Sequence, residues 1–300
     1  MFKKFAKAAS GFVLTAALST TMATSALAAD AVIVGGKFFT EQFLLSEMTT
    51  QLLQAENIPV EQKTGMGSSL VRKAQENGEI DLYWEYTGTS LVVYNKVKEE
   101  LTPEQTYQRV KELDAKKGLV WLKPSNANNT FALAVRKQDV SKHGLKSLSD
   151  LASAYRDKQD LKMAGTAEFI GRPDGIRKLQ KAYDFRVPRS QLKSMDAGLT
   201  YNALQDGLVD IALVFATDGR ISAFGFDLLK DDKAFFPDYA MVPVIRQEVL
   251  AQYPALEGKL NELSSKLDDA TMQRLNASVD IDKKPVKEVA TAFLKANNLL

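Results

Sequence analysis

The sequence predicts an α/β protein of two similar lobes, joined by two crossover segments, with a cleft between them. Three observations predict it. Strand-like and helix-like segments alternate at lengths that suit βαβ units and a largely parallel sheet. The pattern of the first ninety residues returns after residue 160 at a fixed offset of 129: Gly36 meets Gly165, Leu70 meets Leu199, Ala74 meets Ala203, Gly78 meets Gly207 and Asp81 meets Asp210. Two extended stretches, Phe131 to Arg136 and Phe235 to Ile245, stand where a chain would pass into a second lobe and return.

The elements follow in order. Lys3, Lys4 and Lys7 precede an apolar stretch from Gly11 to Ala23 and then Ala26-Leu27-Ala28. That is the layout of a secretory signal peptide over residues 1–28. Its apolar part is too short and too rich in Thr and Ser to span a bilayer, and no later window holds 18 apolar residues. No cysteine is present to carry a lipid anchor. The expectation is a soluble protein of the periplasm. Ala31 to Gly36 reads as a buried strand, and Thr40 opens a helix with Phe43, Leu44, Met48, Leu52 and Leu53 at helical spacing. Val60 to Thr64 is a second strand. Ser68 and Ser69 are placed to cap the helix that Gly78 ends. Ile80 to Tyr86 is a third strand, and 101–118 a helix with Pro103 early. Leu161 to Gly165, a helix start near Pro173, LTYNALQDG and Val209 to Phe215 repeat the scheme. Residues 246–300 are mostly helical, and their last amphipathic run is expected to pack on the first lobe. The division is 29–130 with 240–300 as lobe 1 and 131–239 as an inserted lobe 2.

Composition excludes several functions. Lys+Arg is 39 against 37 Asp+Glu, and the three leader lysines account for the whole formal excess of +2. A near-neutral chain has no bulk attraction to nucleic acid. One histidine and no cysteine rule out zinc fingers and Cys-His nucleophiles. There is no GxSxG, HExxH or GxxxxGK[ST] motif. Asp81 and Glu85 could be imagined as an acid–base pair, but Asp81 is better assigned to its strand start, as Asp210 is. Neither catalysis nor a cofactor or metal is expected.

The segment Asp81 to Thr89 (DLYWEYTGT) crowds aromatics at one strand end. Alternation puts Trp84 and Tyr86 on one face and Tyr83 on the other. Tyr86 sits at the carboxyl end of its strand, where open α/β sheets bind ligands. Phe215 holds the equivalent edge of the other lobe, before Ala216-Thr217-Asp218-Gly219. Phe131 and Tyr239 lie on the two crossings. A quaternary ammonium donates no hydrogen bond, yet its spread charge is attracted to ring faces, at about 0.5–2 kcal/mol per ring. Four converging rings would hold one; scattered rings would be ordinary packing. Arg172, between Gly171 and Pro173, is either a carboxylate anchor at a helix start or a partner in an internal salt bridge. Ser68, Ser69 and Asn128-Asn129-Thr130 are further polar candidates, Thr217 is another, and Asp218 either orients its loop or meets a cation. His143 reads as exposed loop and carries no assignment.

GGKFFTEQFLLSEM, GSSLVRKAQENGEIDLYWEYTGT, NNTFALAV, VFATDGRI and FPDYAMVPVIR together resemble the substrate-binding proteins of osmoprotectant ABC importers, the glycine betaine/choline/carnitine group. The resemblance spans essentially the whole region after the leader. It implies the type II periplasmic binding protein fold. It implies cage rings at Tyr86, Phe131, Phe215 and Tyr239, a carboxylate arginine at Arg172 and a polar contact at Ser68 and Ser69. The chain departs at Phe131 and Phe215, where close relatives often carry tyrosine. The implied partners are a small quaternary ammonium solute and a membrane permease, with the binding protein itself a monomer. Arg172 favours a zwitterion over choline. Two other readings stay open: the same fold serving a different solute with a vestigial cage, and a periplasmic enzyme or scaffold.

Overall fold

Two five-stranded sheets organise the chain, each built from four strands that run one way and one that runs against them. The structure is a computed structural model that describes residue 1, residues 31–99 and residues 101–300. The signal-peptide expectation lies outside the described residues. The first sheet contains β1 (Val32–Lys37), β2 (Val60–Met66), β3 (Leu82–Tyr86) and β4 (Leu119–Trp121). The second contains β5 (Phe131–Arg136), β6 (Met163–Gly165), β7 (Leu192–Ser194), β8 (Ile211–Phe215) and β9 (Phe226–Leu228). After β9 the chain returns to the first sheet as β10 (Met241–Arg246). The strand orders are β2-β1-β3-β10-β4 and β7-β6-β8-β5-β9. They are the same arrangement twice, with the antiparallel fourth strand lying at a crossing in each case.

The offset of 129 therefore has a physical basis. Asp81 Oδ2 accepts the Ile33 N–H at 2.8 Å, and Asp210 Oδ2 accepts the Lys162 N–H at 2.9 Å. Ile33 and Lys162 are themselves 129 apart. Each carboxylate ties the start of one parallel strand to the loop before the next. Each is braced by an arginine ending the antiparallel strand, Arg246 at 3.1 Å and Arg136 at 3.4 Å.

Helix Thr40–Ala55 packs Leu44, Leu45, Met48 and Leu52 into the main core, in the same cluster as Trp84. The final helix Val286–Ala296 lies against it, with Thr291 Oγ1 donating to Gln51 Oε1 at 2.9 Å. Tyr83 and Trp84 divide between faces as alternation requires: the Trp84 indole donates to Thr49 at 2.9 Å, while Tyr83 joins Val71 and Ile80. The helix Pro103–Ala115 starts with a capping box between Thr102 and Gln105.

Three local expectations are corrected. Ser68 and Ser69 are not caps: the helix Ser68–Glu76 takes Gly67 as its N-cap, with no side-chain bond, and both serines lie in its first turn. Arg172 does not open a helix. Helix Ala167–Gly171 ends before it, and the next, Ile176–Tyr183, begins after Gly175. Pro173 is the cause, since the residue before proline is driven to extended backbone, here φ −67° and ψ 149°. His143 ends helix Lys137–His143, half-buried.

The repeated carboxylate ties predict matched losses of stability. Urea unfolding of Asp81→Ala and Asp210→Ala is expected to show about 1–3 kcal/mol of destabilisation each, because a strand-start N–H loses its acceptor and an arginine its partner. The loss is larger at Asp81, whose side chain is 12% exposed against 24% for Asp210. Wild-type stability in both variants would contradict this role.

Candidate functional site

Register places the rings. Phe131 pairs directly with Phe215 across β5 and β8, so both project from the same end of the second sheet. Their ring centroids lie 5.4 Å apart. Tyr239, two residues before β10, meets Phe131 edge-on at 5.3 Å. Tyr86 ends β3 on the first sheet and reaches the group through Phe39, which stacks 6.2 Å from Tyr86 and 5.8 Å from Phe215. The four expected rings thus converge on one cavity, and Phe39 makes a fifth wall. The space between them is about 40 Å³, room for a few water molecules at most. A larger guest requires the walls to part. Tyr86 and Phe39 ride on the first sheet and Phe131 and Phe215 on the second, so the walls are drawn from both sheets.

Glycine sets the approach of the crossing. A Cβ on Gly88 would lie 2.7 Å from the Asp238 carbonyl oxygen and 2.8 Å from the Tyr239 ring. The YTGT turn therefore needs no side chain at its third residue if Tyr239 is to reach the cavity.

The charged residues at the cavity are already partnered. Arg172 turns two edges of its fork to Asp174, with Nε at 2.8 Å and Nη2 at 2.6 Å. Its Nη1 donates to Thr89 Oγ1 and Glu168 Oε1, both at 3.3 Å. The guanidinium lies 5.2 Å from the Phe131 centroid and 5.8 Å from that of Tyr239. Of the two readings of Arg172, the internal salt bridge describes its contacts, in buried form, and the Nη1 edge carries only the two longer bonds. Burial alone would raise the Asp174 carboxyl, but hydrogen bonds and charge from Arg172, with the Tyr239 hydroxyl at 2.7 Å, hold it below the usual range. Lys37 Nζ bonds Glu85 at 2.6 Å and stands 4.7 Å over the Tyr86 ring.

The other expected residues divide. Ser68 lines the cavity; Ser69 is exposed on its helix and does not. Thr217 and Asp218 line an adjoining cavity of about 420 Å³ beyond the Phe39–Phe215 stack. Thr217 Oγ1 donates to Glu41 at 2.5 Å. Asp218 accepts from the Arg220 backbone and side chain at 2.9 Å, so it orients its own turn. Sequence reasoning missed Lys37, Phe39, Glu41 and Thr89. Lys37 ends β1 and Phe39 stands just beyond it, and the rule that singled out Tyr86 applies equally there.

The chain matches, over residues 30–296, the family described as the substrate binding domain of ABC-type glycine betaine transport system. It is 43% identical over 278 residues to a glycine-betaine-binding protein of Pseudomonas aeruginosa, covering 91% of this chain and 89% of the relative. It is 36% identical over 277 residues to the glycine betaine-binding protein YehZ of Escherichia coli K12, covering 89% and 91%. Among solved structures, one described as a glycine betaine/carnitine/choline ABC transporter superposes with a TM-score of 0.73 at 31% identity, covering 89% of this chain and 99% of that one.

The Arg172–Asp174 pair generates a pH-dependent prediction. Asp174→Asn leaves a buried guanidinium without its carboxylate and is expected to cost about 3–5 kcal/mol near neutral pH. Because folding lowers the Asp174 carboxyl from its ordinary 3.8, that stabilisation is complete above this value and is lost as pH falls through the lower folded value. Chemical unfolding of wild type and variant from pH 7 downward should show the gap closing only in strong acid. A gap that is absent at pH 7 would contradict the pairing.

Proposed function

The chain belongs to the family of substrate-binding domains of ABC-type glycine betaine transport systems, and from that premise we propose that it captures a trimethylammonium solute between its lobes and delivers it to a membrane permease. The observation that carries the reading is the convergence of Tyr86, Phe131, Phe215 and Tyr239, from both sheets and a crossing, on one cavity. A methylated ammonium has no N–H to satisfy, so ring faces that would leave an ordinary polar guest unbonded cost it nothing. Phe131 and Phe215 in place of tyrosine retain the faces and lose only hydroxyls.

Lys37 and Arg172 at the same cavity favour a ligand with a carboxylate, such as glycine betaine or carnitine, over choline. Both cations hold protein carboxylates already, so the ligand's carboxylate adds to existing pairs, with Ser68 and Thr89 as neutral donors. Ser69 and Asp218 take no part. In this reading residues 29–130 and 240–300 form one lobe and 131–239 the other. The protein is exported by its leader to the periplasm, acts as a monomer, and offers both closed lobes to the permease.

Calorimetric titration of the purified protein tests the proposal. Glycine betaine is expected to give saturable heat at one site per chain. Phe215→Ala and Tyr239→Ala should each weaken it roughly 3- to 30-fold, the span set by one ring–cation contact. Absence of heat with glycine betaine, carnitine and choline alike, or unchanged affinity in both variants, would overturn it.

A further inference from the structure

We propose that Glu41 is the buried counter-charge of the ring cavity, a positioning residue that fixes Tyr86 and biases the site toward positively charged guests. The inference rests on the functional reading above and adds a residue to it.

Glu41 stands out by comparison with the other buried acids. Asp81, Glu85, Asp114, Asp139, Asp174 and Asp218 are all buried, and each pairs with a base: Arg246, Lys37, Arg72, Arg136, Arg172 and Arg220 in turn. Glu41 is 3% exposed, and no lysine or arginine lies within salt-bridge distance among the described residues. A buried charge is normally paired, because desolvation is costly.

What surrounds Glu41 is a set of neutral donors drawn from separate parts of the fold. The Tyr86 hydroxyl donates to Oε1 at 2.7 Å, Asn129 Nδ2 to the same oxygen at 2.6 Å, and Thr217 Oγ1 to Oε2 at 2.5 Å. Tyr86 belongs to the first sheet, Asn129 to a crossing and Thr217 to the turn after β8. Gln42 Nε2 donates to the Tyr86 hydroxyl at 3.0 Å, which completes the grip on that ring. Donors of this kind steady a carboxylate without cancelling its charge. The carboxylate holds the hydroxyl of a ring of the cavity, so a cation held on the ring faces supplies the opposite charge that no lysine or arginine among the described residues supplies at salt-bridge distance.

The wider electrostatic setting leaves this role open to a ligand. Lys37, over the Tyr86 ring, is taken up by Glu85. In the adjoining cavity Arg220 is shared by Asp218 and Asp280, and Asp196 adds a further acid. From helix Asp269–Asp280, Asn276 faces the group as a neutral amide whose Nδ2 donates to the Thr217 carbonyl at 2.9 Å. Burial raises the Glu41 carboxyl above its ordinary 4.5, against the lowering pull of Thr217, Tyr86, Asn129 and Asn276. A bound cation favours the ionised form, so binding of the cation and loss of the proton reinforce each other.

The test pairs glycine betaine with 3,3-dimethylbutanoate, its carbon isostere, which keeps shape and carboxylate and lacks the positive charge. Calorimetry on wild type and Glu41→Gln measures the affinity ratio of the two. The ratio should favour betaine in wild type and shrink roughly tenfold in Glu41→Gln, the size expected from one nearby charge in a protein interior. A role in holding Tyr86 alone would weaken both compounds together and leave the ratio unchanged. Betaine affinity in wild type should fall as pH drops through the Glu41 titration, while Glu41→Gln stays level. Thr217→Val, which removes one donor, should move that fall to higher pH, and it serves if Glu41→Gln does not fold. An unchanged ratio together with an unchanged pH profile would overturn the role of Glu41 while leaving the functional reading intact. Failure of wild type to bind betaine at all would overturn the functional reading itself.

Discussion

The pairing of Phe131 with Phe215 across β5 and β8 is the constraint on which the site depends. Two rings on directly opposed residues of an antiparallel pair must share a face and an end of the sheet. That end is where the crossing from Pro237 to Ala240 passes, which brings Tyr239 edge-on to Phe131. A slip of one residue in this register would put the two rings on opposite faces of the sheet. The first sheet supplies the matching half through Tyr86 and Phe39. The cavity is therefore a product of two strand registers and a crossing.

Charge is distributed around this apolar centre by the same economy. The bases at the cavity are each tied to a buried acid, and each stands over ring faces of it: Lys37 over Tyr86, and Arg172 over Phe131 and Tyr239. A trimethylammonium guest makes the kind of contact these side chains make, without needing their hydrogen-bond partners. Among the buried carboxylates of the described residues, Glu41 is the one left without a base, and it touches the ring that the first sheet contributes.

Much of the fold was legible because it is written twice. Asp81 and Asp210 could be matched by their flanking residues, and both turn out to hold a strand-start N–H. Tyr86 and Phe215 could be found as aromatics at strand ends followed by glycine-bearing turns. What escaped has physical reasons. Phe39 is the N-cap of a helix and bears on the cavity only because β1 ends beside β3. Glu41 looks like an ordinary first-turn acid, and its partners are 45, 88 and 176 residues away. Successive helical residues point about 100° apart, so Ser68 and Ser69 could not both face inward. Arg172 and Asp174 meet because Pro173 turns the chain between them, a pairing that residue spacing alone does not reveal.

The central claim is that ring faces hold the cation, and fluorination of one ring tests it most directly. Replacing Phe215 in turn by mono-, di- and trifluorophenylalanine draws electron density from the face while barely altering shape. The account predicts that glycine betaine affinity falls stepwise with each fluorine, while thermal stability without ligand stays near wild type. Affinity that stays constant across the series would contradict it.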